Sequence, residues 1–365
     1  MVQYGGLRLW KNGKARNRTI DRLLDLRDGL AKDVSTKDTQ RSFHLASWNI
    51  RDFGACKFNP CPRRPESLLY IAEILSSFDL IAIQEVNENM TEFEKVMRLL
   101  GPRWSYVVTD QSGNQERLAF VFDTRKIVFR HVTGEIVLPQ REGLQFNRTP
   151  FLVAFQAGWL KLNICTVHIL YGDKQDTPAR QREIGEIAKF FSERQKKDGE
   201  TYVLIGDFNI LSPDDANMAA LLKGGFKVPA ELSKTTDLGD KHYYDQIAVC
   251  ERAHEVEIEN AGVFRWRNYV FRDDADFDAY KPFMPTETKE GKPVNVDVAA
   301  YQRWRTWQMS DHLPLWAEIK IDFTKQYLDS LRPGAQPLAK FPSGPESLPD
   351  EDTIGEPSQE AAEAG

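Results

Sequence analysis

Short apolar runs in this sequence are followed, one after another, by side chains that bind metal ions, bind phosphate or transfer protons. They are Asn49, Glu85, His168, Asp207 and Asn209, and a later pair, Asp311 and His312, stands just before another apolar run. Carboxylate and carboxamide oxygens are ligands of Mg²⁺ or Mn²⁺, and an imidazole can gain or lose a proton near neutral pH. Together these residue types suit the hydrolysis of a phosphate ester.

The apolar runs that precede these residues are typical of buried strands. If the strands end at one rim of a sheet, their polar residues meet there. A single carboxylate at a strand end is more typical of a solvated turn, and a single histidine is more typical of a core residue. The functional interpretation therefore depends on the whole set.

Helical periodicity predicts helices over residues 20–30, 65–77, 91–100, 178–197 and 214–222. Further strands are predicted over residues 104–109, 117–122 and 126–132 as an antiparallel meander, 151–157 and 160–167 as a hairpin at Gly158, and 244–249 and 313–321 late in the chain. Strands with helices between some of them predict an α+β fold. We expect a four-layer α/β/β/α sandwich of two mainly antiparallel sheets with outer helices.

Changes in composition along the chain predict three regions. Residues 1–41 are polar and form an N-terminal extension, and residues 42–322 form a catalytic domain with an insertion at about 262–309. Residues 332–365 are rich in Pro, Gly, Glu and Asp and predict a disordered acidic tail.

The overall composition predicts a globular protein. The 365 residues are 41% hydrophobic and 28% charged, with a net charge of −6. This charge argues against a globally basic nucleic-acid coat protein, but it leaves room for a local basic groove. Residues 1–30 lack the apolar segment of a signal peptide, and the chain has no run of roughly 18 apolar residues. A cytoplasmic protein without a membrane span is therefore expected, and a monomer is assumed.

The four cysteines give little functional signal. Cys165 and Cys250 lie in apolar strands and are expected to be buried thiols. Cys56 and Cys61 could form a disulfide in an exported protein, and their spacing is a weak zinc signal.

Two segments of the predicted insertion interleave aromatic residues with arginines. They are residues 264–269 and 301–307. Such clusters can stack bases and neutralise phosphates. Alternatively, the aromatic side chains pack beneath a surface insertion, since tryptophan is usually mostly buried.

Seven fragments follow one another in chain order. They are Ser47-Trp48-Asn49-Ile50, Ile83-Gln84-Glu85-Val86, Gln115-Glu116-Arg117-Leu118, Thr166-Val167-His168, Gly206-Asp207-Phe208-Asn209, Tyr244-Asp245-Gln246-Ile247 and Ser310-Asp311-His312-Leu313-Pro314. In this order they resemble the endonuclease/exonuclease/phosphatase superfamily, and within it the deoxyribonuclease I-like branch, over roughly residues 43–322. Each fragment alone is common, and the order of all seven carries the resemblance.

The resemblance implies a site for metal and phosphate. Glu85, Asn49 and Asp311 match the metal-side residues of the family, with Mg²⁺ (or Mn²⁺) as the expected cofactor. Asp207 and Asn209 match the pair that holds the scissile phosphate and orients the nucleophile or metal.

The resemblance also implies two catalytic histidines and a phosphate contact. His168 is expected to be oriented by Glu116, and His312 by Asp245, because a carboxylate on the far nitrogen fixes the tautomer. Our hypothesis is that His312 activates water and His168 serves the phosphate or leaving-group side. Arg148 resembles an arginine that contacts the substrate phosphate backbone.

The function that the resemblance implies is a Mg²⁺-dependent phosphodiesterase, in particular an endonuclease with DNA as its partner. Several alternatives stay open at this stage. They are a phosphatase or phospholipid phosphodiesterase of the inositol phosphate or sphingomyelin type, a nuclease for abasic sites, and a catalytically silent scaffold of the same fold. Gln246 departs from the Arg or His that branch members often carry after the Tyr-Asp pair.

Overall fold

The computed structural model describes residues 1–54, 62–137, 146–172, 177–251, 256–288 and 291–333. Cys56, Cys61 and nearly all of the predicted tail lie outside these residues. The chain divides into two compact units, Met1–Asp322 and Phe323–Gly365. All residues of the predicted site belong to the first unit.

Eleven strands and eight α-helices are formed by the described residues. The strands are β1 (Ser42–Phe53), β2 (Leu80–Asn87), β3 (Trp104–Val108), β4 (Glu116–Asp123), β5 (Ile127–Glu135), β6 (Phe151–Ala157), β7 (Leu160–His168), β8 (Tyr202–Asp207), β9 (Asp245–Cys250), β10 (Ile258–Val263) and β11 (Leu315–Lys320). The helices are α1 (Gly13–Asp33), α2 (Pro65–Ser76), α3 (Thr91–Leu100), α4 (Thr177–Asp198), α5 (Ala216–Lys223), α6 (Phe277–Tyr280), α7 (Val298–Gln308) and α8 (Thr324–Ser330), the last in the second unit. Short 3₁₀ turns cover Gly5–Leu9, Ala230–Leu232, Trp266–Asn268, Asp274–Asp276 and Lys281–Phe283.

Two sheets form the centre of the first unit. The first has the order β10-β11-β1-β2-β4-β3, and the second has the order β5-β6-β7-β8-β9. Only β1 with β2 and β7 with β8 run parallel among these described strands, and the other neighbours are antiparallel. The predicted α+β sandwich of mainly antiparallel sheets is confirmed.

Aromatic contacts define the order of the layers. Phe120 of β4 meets Phe155 of β6 between the sheets, with ring centroids 5.4 Å apart. Phe93 of α3 packs on Phe53 of β1, outside the first sheet. Phe191 of α4 packs on Tyr202 of β8, outside the second. Each of these rings is buried, which typically stabilises the fold by about 1.5–3 kcal/mol per side chain.

The predicted three-stranded meander is wrong in its last strand. β3 and β4 pair as expected, but β5 crosses to the second sheet and pairs with β6. A tight turn follows β4, in which the Lys126 amide donates to the Asp123 carbonyl. The apolar residues at the start of β5 predict a strand, but they do not indicate which sheet provides its neighbour.

The N-terminal segment forms a longer helix than its apolar pattern indicates. α1 begins after Asn12, whose side chain accepts a hydrogen bond from the Ala15 amide and caps the helix. Its apolar residues Leu23, Leu26 and Leu30 are buried. Arg18 also pairs with Glu66 of α2, at 3.1 Å. The polar first half of α1 gave no apolar periodicity from which the helix could be predicted.

Residues 262–309, the predicted insertion, contain a helix that the sequence analysis did not predict. α7 begins after Asp297, whose carboxylate accepts a hydrogen bond from the Ala300 amide. One face of α7 is buried through residues that include Tyr301 and Trp304, and Trp266 is buried as well. Most of the interleaved aromatic residues are therefore buried in the main core of the first unit. Within the described part of the chain, we find no helix of sufficient length and apolarity to traverse a membrane.

Candidate active site

The strand register brings the predicted residues of the second sheet into one row. His168, at the end of β7, is the register partner of Asp207 at the end of β8. Asp207 is in turn the partner of Asp245, at the start of β9. The parallel pairing of β7 with β8 is the reason that two carboxyl ends meet at this rim.

The glycine of the Gly-Asp-x-Asn fragment has a structural role beside Asp207. Gly206 adopts a φ of 133°, and a Cβ atom there would overlap the carbonyl oxygen of Val167 on β7. Glycine therefore permits the close approach of β7 and β8 that sets the position of Asp207.

Asn49 connects the two sheets at this rim. Its Nδ2 atom donates to Glu85 Oε1 at 2.9 Å and to Asp207 Oδ2 at 3.1 Å. Glu85 lies at an irregularity of β2 with a φ of 62°, and its other oxygen accepts from the Asp52 amide. Glu85, Asn49 and Asp207 thus form one hydrogen-bonded group, assembled from both sheets.

His312 is held by a buried carboxylate and faces Asp207. Its Nδ1 atom is 2.8 Å from Asp245 Oδ2, and its Nε2 atom is 3.6 Å from Asp207 Oδ2. Burial by itself would lower the pKa of His312, but the charges of Asp245 and Asp207 raise that pKa well above its usual range. Nε2 is thereby left as the ring nitrogen that faces the site.

Two residues that the sequence analysis did not assign hold this histidine against β1. The Trp48 indole donates to the His312 carbonyl at 3.0 Å. Ser310 Oγ accepts from the His312 amide at 3.0 Å and donates to the Asn49 carbonyl at 2.6 Å. Both residues stand within the quoted fragments, next to Asn49 and Asp311, and that adjacency was the available signal.

His168 lies beside Asp207 on the neighbouring strand β7. Its Nε2 atom lies 3.7 Å from Asp207 Oδ2, and its Nδ1 atom lies 3.1 Å from Glu116 Oε2. Burial raises the pKa of Glu116, but contacts with His168 and Arg148 outweigh burial and hold that pKa at about 2. Glu116 therefore stays ionised beside the imidazole.

Arg148 lies behind Glu116. Its Nε atom donates to Glu116 Oε2 at 2.8 Å, and the arginine is 7% exposed. Its Nη1 atom is buried and has no hydrogen-bond partner among the described residues. Glu183 of α4, which the sequence analysis missed, lies in the same cluster, and burial raises its pKa to about 7. The predicted contact of Arg148 with substrate phosphate stays a prediction.

Asp311 and Asn209 lie at the edges of this arrangement. Asp311 has a side chain that is 43% exposed, and its Oδ2 atom lies 3.3 Å from Arg51 Nη1. The side-chain nitrogen of Asn209 donates to the Ile169 carbonyl at 2.7 Å, and its amide donates to Asp207 Oδ1 at 2.9 Å. The structure thus gathers Asn49, Glu85, Asp207 and both histidine–carboxylate pairs in one cluster. Asp311 lies at the edge of this cluster.

The oxygen atoms around Asn49 fit a hard divalent cation. Asn49 Oδ1 is buried and has no hydrogen-bond partner among the described residues, and Glu85 Oε1 lies beside the same carboxamide. Within the described ranges, no three His, Cys, Asp or Glu side chains gather closely enough to hold a metal by themselves. Mg²⁺ usually takes only one or two carboxylates, and it completes its shell with water and substrate phosphate.

Comparisons with known proteins bear on this arrangement. No family model matches the chain. Deoxyribonuclease-1 of Sus scrofa is 28% identical over 178 residues, which cover 46% of this chain and 60% of that protein. Deoxyribonuclease-1 of Canis lupus familiaris is 24% identical over 245 residues, which cover 62% of this chain and 84% of that protein. The match to the porcine protein therefore spans less than two thirds of its length.

A solved structure supports the same grouping at the level of the fold. An endonuclease/exonuclease/phosphatase family protein from Bacteroides thetaiotaomicron matches with a TM-score of 0.51 and 15% identity, over 78% of this chain and 98% of that one. The chain has the fold of the endonuclease/exonuclease/phosphatase superfamily. The sequence similarity to deoxyribonuclease-1 confirms the predicted resemblance to the deoxyribonuclease I-like branch.

Proposed function

We propose that this protein is a metal-dependent phosphodiesterase, and specifically an endonuclease that hydrolyses DNA. One observation carries the proposal: two histidines, each beside a buried carboxylate, lie 3.7 and 3.6 Å from the same Asp207 oxygen. A phosphodiester needs a base for the attacking water and a partner for the leaving oxygen, and this geometry supplies two such groups.

The chain's own residues divide the work as follows. His312 accepts a proton from water at Nε2, because Asp245 occupies Nδ1 and fixes the tautomer. His168, held by Glu116, presents Nε2 to the phosphate or the leaving oxygen. Asp207 lies between them and orients the water and Asn49.

Glu85 and Asn49 are the residues that would hold Mg²⁺ or Mn²⁺, with Asp311 as a further carboxylate at the edge of the site. A bound divalent cation would neutralise the phosphate oxygens and would oppose the carboxylates that raise the pKa of His312.

DNA is favoured as the substrate by the matched relatives, which are deoxyribonucleases. A phosphatase or phospholipid phosphodiesterase would use the same metal and histidines. A silent scaffold has no need for two buried histidine–carboxylate pairs.

A substrate panel tests the proposal. Purified protein is incubated with supercoiled plasmid, p-nitrophenyl phosphate, inositol phosphates and sphingomyelin, each with Mg²⁺, Mn²⁺ or EDTA. Nicking of plasmid that stops in EDTA is the expected result. Turnover confined to the monoesters or to sphingomyelin would replace the DNA assignment, and no turnover of any substrate would favour the scaffold.

A further inference from the structure

An open groove runs beside the candidate site, along the exposed face of α7. Its volume is about 440 Å³, within the range of ligand sites in proteins. Ala299, Gln302, Arg303 and Thr306 lie on one helical face that borders it, and Leu238 and Gly239 form the opposite wall. The groove is lined partly by exposed residues, so it suits a chain that passes through more than a small molecule that is enclosed.

Hydrogen bonds connect the groove directly to the candidate site. The Leu238 amide donates to the Asp311 carbonyl at 3.1 Å. Asp237 and His312 form an isolated antiparallel β-bridge. Arg51, two residues after Asn49, also lines the groove and lies 3.3 Å from Asp311. A strand bound at the histidines would therefore meet the groove next.

The groove is basic in a chain of net charge −6. Arg51, Arg303 and Arg305 line it, and no carboxylate does so among the described residues. Arg305 is buried and pairs with Asp273 at 2.7 Å. Arg303 is exposed and forms no ion pair within the described ranges, so its charge faces solvent. A local basic surface of this kind attracts polyanions in spite of the overall charge.

α7 also fixes a second, partly buried arginine of the groove, Arg51. The Arg51 guanidinium lies over the Trp307 ring, 3.6 Å from its centroid, and donates to Thr306 Oγ1 at 2.7 Å. This stacking holds Arg51 at the end of the groove nearer to Asp311. Arg51, whose charge is partly offset by Asp311, and Arg303, which forms no ion pair among the described residues, both line the groove.

We propose that this groove binds the phosphate backbone of a DNA strand on one side of the scissile bond, with Arg303 as a phosphate contact. The inference rests on the proposed function and extends it, since it names where the rest of the substrate lies. It also gives the insertion a role, because α7 belongs to that segment.

Binding of a fluorescently labelled oligonucleotide tests the groove separately from catalysis. The protein carries His312→Ala, which leaves the DNA uncut, and anisotropy is measured over a series of salt concentrations. Arg303→Ala should weaken binding several-fold and make the slope of log affinity against log salt less steep by about one. Arg303→Glu should weaken binding further, and Arg303→Lys should restore most of it.

Arg194→Ala is the matched control. Arg194 is an exposed arginine near the end of α4, which precedes the start of β8, whereas the site lies at the other end of β8. This variant should bind as the parent does. Equal binding by the Arg303→Glu and Arg194→Ala variants would overturn the inference.

The proposed function and the groove can fail separately. If the protein with His312 intact cleaves plasmid and Arg303→Glu binds normally, only the groove assignment falls. If the protein with His312 intact cleaves no DNA and the His312→Ala protein binds none, both the proposed function and the groove assignment fall. If the Arg303 series changes binding of inositol hexakisphosphate but not of DNA, the groove takes a small polyanion, which also contradicts the proposal.

Discussion

The chemistry proposed here depends on how each imidazole is oriented. His168 ends β7, and His312 lies in the loop between α7 and β11. Each lies beside a carboxylate from a distant segment, Glu116 for His168 and Asp245 for His312. These pairings were predicted from the resemblance of the ordered fragments to a known superfamily. The distances that join them come only from the folded chain, since 52 to 67 residues separate the partners.

Glu116→Gln tests the orienting role at the scale of one residue. Glutamine keeps the shape of the side chain but removes its negative charge. The parent carries that charge at neutral pH because the pKa of Glu116 is held at about 2. We expect kcat on DNA to fall by roughly 10- to 100-fold with little change in KM. Steady-state kinetics measure both parameters, and exposed Glu94→Gln on α3 provides the control. A rise in KM of roughly 10- to 100-fold with an unchanged kcat would instead assign Glu116 to substrate binding.

Packing of α1 against the insertion can be tested with two helical glycines. Gly29 faces the ring of Tyr269, and a Cβ atom there would overlap that ring, which is tied to Asp33 by a hydrogen bond of 2.6 Å. Gly185 in α4 has open space around the corresponding position. Urea unfolding should show Gly29→Ala less stable than the parent, and Gly185→Ala more stable by about 0.4–1 kcal/mol. A gain in stability from Gly29→Ala would contradict the packing described for α1.

Asp79 connects several elements at the start of β2. Its carboxylate accepts from the His44 amide of β1 and pairs with Lys37 and Lys126 at 3.0 and 3.2 Å. Burial raises the pKa of Asp79, but these partners outweigh burial and leave the pKa well below its ordinary value. Because the folded-state pKa is the lower one, the ionised group stabilises the fold above about pH 4, and this contribution is lost as the pH falls through the folded pKa.

Asp79→Asn should therefore lower the free energy of unfolding at pH 7 by roughly 3 kcal/mol, since it removes one partner of a buried ion pair. The difference from the parent should narrow as the pH is lowered below about 4. Urea unfolding at several pH values measures both effects, with the fully exposed Asp110→Asn as the control. A difference that stays constant with pH would show that the ionised form of Asp79 is not the stabilising one.

Element boundaries followed local patterns where those patterns were strong. The predicted α3 agrees with Thr91–Leu100, and α4 agrees within a residue at each end, because apolar periodicity specifies them. The strand β5 was predicted, but its neighbour was predicted wrongly, and the helix α7 was not predicted. The sheet that receives β5, and the packing that makes α7 a helix, depend on contacts distant in sequence.

At the scale of the whole molecule, two sheets of one unit bring their polar ends to a common rim. Glu85 comes from the first sheet and Asp207 from the second, and Asn49 contacts both. The sequence allowed the candidate residues to be chosen. It could not show that Arg148 lies behind Glu116, or that Asp311 lies beside Arg51, since side-chain direction depends on the assembled rim.

The most direct test of the account is the rate of plasmid nicking by His168→Ala and His312→Ala, beside the parent protein with Mg²⁺. Loss of either proton-transferring group should lower the rate by roughly 10²- to 10⁴-fold. Circular dichroism and thermal unfolding should show that both variants keep the parent's fold. Because the two histidines act in one reaction, the nicking rate of the double variant should fall by a much smaller factor than the product of the two single-variant factors. Near-normal nicking by either folded single variant would contradict the account.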